Sequence, residues 1–178
     1  NAIFAVLSFI FIPKFKDEFE GERQKFNLNE VVQAFKHPGV WLTTLCMFFI
    51  YTIYTSLAYT VSFLTAIGAT AAIASVVGTI RTYGTSLFSS PIIGGIAEKK
   101  TPSKTIIVCT IITGASLVIM AFAPKTSGFI IPSVILIIAL SFFLNGAYGV
   151  TSSMMTETKV PTAIFGSASG ILSVVGFI

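Results

Sequence analysis

Arg81 is the residue with the most chemistry to offer. It is the one formally charged side chain between His37 and Ala97, and apolar runs surround it. A guanidinium stays charged at physiological pH and presents a planar fork of N–H donors that matches a carboxylate or a phosphate. In an apolar setting it needs a partner. No Asp or Glu lies inside the other apolar runs to supply one. The sequence leaves three partners open: an anionic substrate, an acid elsewhere in a longer chain, or water lining a gate. The first makes Arg81 an anion-binding residue.

Two groups of polar residues recur at helical spacing. Thr44, Tyr51, Thr55, Tyr59 and Ser62 fall on one stripe, and Ser141, Asn145, Tyr148 and Ser152 on another. Tyr and Asn offer hydrogen bonds at modest desolvation cost. Such stripes either line a wet cavity or tie helices together. Tyr51, Thr55, Asn145 and Tyr148 therefore join Arg81 as candidate substrate-binding residues.

Catalytic constellations are absent from the sequence. The single histidine, His37, precedes a proline and has no ligand partner at metal spacing. Cys46 and Cys109 sit inside apolar runs and read as small buried hydrophobes. No phosphate loop or nucleophile motif occurs. The expectation is a protein that is not an enzyme, with no metal and no cofactor.

The elements that must position Arg81 follow from composition. Hydrophobic residues make up 54% of the 178, before the 14 glycines are counted. A soluble domain reaches roughly 45–50% with glycine included. Eleven basic and seven acidic residues cannot cover a soluble surface of this size, and ten of them crowd into 14–36. The pattern is that of a polytopic membrane protein. The formal charge of +4 is scattered in small groups, so a nucleic-acid stripe is not expected.

A membrane-crossing helix needs roughly 20 residues. Residues 1–12 read as the end of one helix. Residues 13–38 read as a charged loop, in which Asn27 and Glu30 form a capping box before a short surface helix. Residues 39–178 read as a transmembrane bundle with helices at about 39–64, 71–97, 104–123, 129–155 and 163–178. Pro38 opens the first of these, and Trp41 anchors it near the interface. That gives four complete spans between two partial ones, so the chain is expected to be a piece of a longer protein. Arg81 falls ten residues into 71–97, roughly 15 Å along at 1.5 Å per residue. Loops 13–36, 98–104 and 156–162 hold nine lysines and arginines, against Lys125 alone in loops 65–70 and 124–128. This asymmetry places the first set in the cytoplasm. The expected location is the plasma membrane, or the inner membrane in a bacterium, with several passes.

One long charged loop among short ones resembles the second half of a major facilitator superfamily transporter. The run from Glu30 through Lys36, His37 and Pro38 to Trp41 is similar to that family's surface helix leading into helix seven. Gly94, Gly95, Ile96, Ala97, Glu98, Lys99 and Lys100 resemble the second copy of its Gly-x-x-x-acid-basic loop, although Thr101-Pro102-Ser103-Lys104 replaces the usual continuation. Glu157, Thr158, Lys159, Val160 and Pro161, followed by Gly166 and Gly170, resemble the loop and start of helix eleven. The resemblance implies an all-α, six-helix C-terminal half, incomplete at both ends, partnered by an N-terminal half and by lipid. It implies a loop or gating role for Gly94, Glu98, Lys99, Glu157 and Pro161.

Glycine at 94 allows two helices to approach closely, and Gly166 with Gly170 forms a small-residue packing step. Glu98 stands where a carboxylate can accept hydrogen bonds from a neighbouring helix N-terminus. The expected activity is alternating-access transport of a small organic anion held partly by Arg81. The competing expectations are a neutral solute or drug with Arg81 structural, and a non-transporting receptor on the same scaffold.

Overall fold

The computed structural model describes residues 28–176. The expected helix end at 1–12, most of the charged loop, and Asn27 of the capping box lie outside the described residues. The described residues are mainly helical, with no strand among them. The elements are α1 (Leu28–Lys36), α2 (Pro38–Ser56), α3 (Tyr59–Ala66), α4 (Ala71–Thr79), a π turn (Ile80–Gly84), α5 (Thr85–Lys99), α6 (Pro102–Phe122), α7 (Ile130–Thr151), α8 (Met154–Glu157) and α9 (Phe165–Gly176). Short 3₁₀ turns at Ser127–Phe129 and Thr162–Ile164 lead into α7 and α9.

Local chemistry sets these boundaries. Pro38 and Pro102 occupy first-turn positions, where the missing N–H costs nothing. His37 caps α2, its Nδ1 accepting from the Gly39 amide at 3.2 Å. Trp41 folds back on α1: its Nε1 donates to the Phe35 carbonyl at 2.7 Å, and the two rings meet edge to face. The turn between α3 and α4 holds Gly68 at φ +99°, a conformation that favours glycine. Thr70 then caps α4 by accepting from the Ile73 amide.

The helix expected over 39–64 is not continuous. It breaks at Leu57 and Ala58 without a glycine or a proline. Thr55 and Ser56 both donate to the Thr52 carbonyl, and Thr60 donates to that of Leu57. Hydroxyls that bond one turn back loosen the backbone ladder. The run 71–99 is a rod of α, π and α turns. It has the same hydroxyl pattern: Thr79, Thr82, Thr85 and Ser86 all donate to carbonyls three or four residues back. Here the ladder widens, and the Thr85 amide bonds the Ile80 carbonyl five residues back.

The bundle is organised around α7, which packs along α2, α5 and α6, while α9 packs on α2 and α1. One apolar core gathers Leu64, Ile93, Ile137, Leu140 and Leu144. A second gathers Val40, Met155 and Ala168. The close helix approach is made by Gly146, not by Gly94. A Cβ at Gly146 would stand 2.7 Å from the Ile93 Cβ, whereas one at Gly94 meets no described atom within 4 Å. Gly166 and Gly170 likewise meet no described neighbour at that distance. Their step therefore packs no described helix.

Large apolar side chains lie on the surface, and small polar ones lie inside. Leu45, Phe49, Leu87, Ile111 and Phe122 are exposed, while Thr43, Thr113, Ser133 and Thr151 are fully buried. Three helical stretches are long and apolar enough to cross a membrane: Pro38–Ala66, Pro102–Phe122 and Ser127–Thr151. The rod at 71–99, expected as a fourth span, is not among them. Arg81 and the surrounding Ser, Thr and Gly dilute its apolar character. Thr162–Gly176 is apolar but shorter.

Candidate functional site

Arg81 is the second residue of the π turn and is half-buried. Its Nη2 donates to Thr82 Oγ1 at 3.3 Å, a long bond to its own neighbour. Its Nε is fully buried and has no hydrogen-bond partner. Among the described residues no carboxylate pairs with it. Leaving a guanidinium N–H unmatched in the interior is costly.

Side chains from two other helices reach towards the π turn. From α7, Asn145 donates through Nδ2 to Thr85 Oγ1 at 2.9 Å and to the Ser141 carbonyl at 2.9 Å. Thr85 Oγ1 in turn donates to the Arg81 carbonyl. A hydrogen-bonded chain thus runs from the central helix to the Arg81 backbone. From α2 comes Tyr54, whose ring stacks on Tyr148 of α7 with centroids 5.9 Å apart. The same ring stacks on Tyr51 at 6.3 Å. Tyr54 also lies within electrostatic reach of Arg81. The three tyrosines form one cluster of rings, and Tyr54 is its member nearest in charge to Arg81.

The structure therefore brings Tyr51, Asn145, Tyr148 and Arg81 into one neighbourhood. It does not bring Thr55 there: that side chain is exposed, and its hydroxyl bonds the Thr52 carbonyl. The remainder of the first polar stripe separates as well. Thr44 is fully buried and bonded to Val40, while Tyr59 and Ser62 lie exposed beyond the helix break. Asn145 serves as an interhelical tie, one of the two roles open to it. Tyr54 and Thr85 were missed by the stripe reading. Tyr51 and Tyr54 are three residues apart, a same-face spacing that could have signalled the pair.

The loop residues gather at the other end of α5. Glu98, Lys99 and Lys100 are exposed. Glu157 accepts through Oε2 from both the amide and the hydroxyl of Ser103, each at 2.8 Å. Among the described residues, the carboxylate that meets a helix N-terminus is thus Glu157 of α8, at the start of α6. Glu98, Glu157, Gly94 and Lys100 line one cavity of about 460 Å³. Pro161 is exposed and starts the turn before α9, after Lys159 at φ 55°.

Helices long and apolar enough to cross a membrane define a helical membrane protein. No family model matches the chain. It is similar to the inner membrane protein YqcE of Escherichia coli K12, with 25% identity over 162 residues. The match covers 88% of this chain and 38% of that protein, so the chain spans well under half the length of this relative. No solved structure matches.

Proposed function

We propose that this chain forms part of a secondary active transporter, similar in scaffold to the major facilitator superfamily, that carries a small organic anion by alternating access. The observation that carries the reading is the buried Arg81 Nε with no partner. A carboxylate bound there completes the guanidinium fork, which Thr82 satisfies only in part. Tyr54, stacked with Tyr51 and Tyr148, supplies a hydroxyl and a ring face within electrostatic reach of Arg81. Asn145 and Thr85 hold the π turn that presents the arginine. The inner-membrane relative fits the location that this reading requires.

The test is uptake of a panel of radiolabelled small carboxylates by cells producing the full-length protein. Arg81→Ala is expected to abolish the uptake of whichever anion the parent accumulates, with expression and melting temperature near those of the parent. Arg81→Lys is expected to be impaired too, because an ammonium lacks the planar fork. A structural ion pair predicts the opposite pattern. Breaking one would lower stability by about 3–5 kcal/mol. Normal anion uptake by Arg81→Ala would overturn the reading in favour of a neutral solute.

A further inference from the structure

At the α5–α6 corner, far along the rod from Arg81, a second cavity opens on the outside of the bundle. It is a trough of about 410 Å³ walled by Ile96, Ile107, Val108 and Phe143, with Lys100 and Lys104 at its end. The walls are apolar, and the only charges that line it are the two lysines. Ile96, Ile107 and Val108 are each between 42% and 57% exposed, so the trough is open along its length. Neither lysine forms an ion pair among the described residues. Glu157, which meets the start of α6, is occupied by Ser103. Glu98 faces the adjoining polar cavity, which Lys100 also borders.

The trough continues into a longer feature. Ile107, Val108, Ile111, Val118, Ile119 and Phe122 are all exposed and all fall on one face of α6. At 1.5 Å per residue that helix is about 30 Å long, the thickness of a hydrocarbon core. So a pair of cations sits at the head of an apolar channel that runs on into a lipid-length apolar face. The shape and charge match one kind of molecule: a negatively charged headgroup with an acyl chain below it.

We propose that this trough binds an anionic glycerophospholipid. Its phosphate lies between Lys100 and Lys104, and one acyl chain lies along Ile107, Val108 and Phe143. The lysines that mark the cytoplasmic loops place the site in the leaflet where anionic lipid attracts basic residues. This proposal does not depend on what Arg81 binds.

The experiment is native mass spectrometry of the full-length protein in detergent, given equal amounts of phosphatidylglycerol and phosphatidylcholine. Phosphatidylglycerol is expected to be retained in preference, by about fivefold for each lysine that contacts it. The double variant Lys100→Gln/Lys104→Gln should lose that preference, while Lys125→Gln, the same charge removed from another loop, should keep it. Val108→Trp, which fills the trough, should lower phosphatidylglycerol retention; Ile107→Trp serves if that variant does not fold. Equal retention of the two lipids by the parent would overturn the proposal. So would a preference that survives in the double variant or is untouched by filling the trough.

Discussion

Arg81 and Glu157 are both single charges in a chain that has few, and the fold treats them in opposite ways. Glu157 sits at the end of the bundle and accepts two short bonds from Ser103, one of them from the α6 backbone. Its charge meets the positive end of a helix and completes an orphan amide. Arg81 sits within a helical rod and leaves its buried Nε unmatched. The first charge is spent on architecture. The second is held ready by surrounding groups that do not complete it, and such a group is what a ligand site requires.

The contrast can be broken or sharpened by experiment. The largest effect is expected from Arg81→Ala on uptake. Each hydrogen bond to a charged group contributes about 1.5–3 kcal/mol, so transport should fall at least tenfold while the melting temperature holds. A melting temperature that falls further than that of Glu157→Ala would reverse the comparison. Next comes Gly146→Ala, which strikes the contact between α5 and α7. Overpacking against Ile93 should cost about 1–3 kcal/mol, read as a lower melting temperature. Ile93→Ala in the same chain should recover part of it, and no recovery would locate the crowding elsewhere.

Glu157→Ala should destabilise by about 1 kcal/mol, the value of a helix cap, with Glu157→Gln retaining part because an amide oxygen still accepts. Uptake per folded molecule should be unchanged. A loss of uptake without a loss of stability would move Glu157 to the functional side of the comparison. The smallest effect is expected at Thr55. Its hydroxyl is exposed and already bonded within its own helix, so Thr55→Val should alter stability by less than about 0.5 kcal/mol and leave uptake alone.

Much of the fold was legible because prolines, turn residues and apolar runs act locally. Pro38, Pro102 and Gly68 mark boundaries whatever the rest of the chain does. The break at Leu57 and the π turn at Ile80 were not legible. Hydroxyls bond a carbonyl one turn back at both places, but they do the same along the unbroken α6, so the sequence does not mark where the ladder gives way. Of the candidate residues, Arg81, Tyr51, Asn145 and Tyr148, polar groups that stand out in apolar runs, share one neighbourhood. Thr55 does not join them: it lies one turn from Tyr51 on the same unbroken helix, yet it is exposed, and it is Tyr54 that stacks on Tyr148. Glycine was the least readable residue. Gly94 and Gly146 look alike in sequence, and only the presence of Ile93 opposite one of them separates their roles.

The π turn gives the rod one more property. In the bond from the Thr85 amide to the Ile80 carbonyl, the backbone holds one residue more than an α turn would. An α residue turns the chain by about 100° and advances it 1.5 Å. Shifting the surplus residue along the rod would therefore re-index the side chains it passes by about that angle, with α4 and α5 intact on either side. Arg81 is among those side chains. In mechanical terms the rod has a torsional joint, and the one charge in its interior is mounted on the joint.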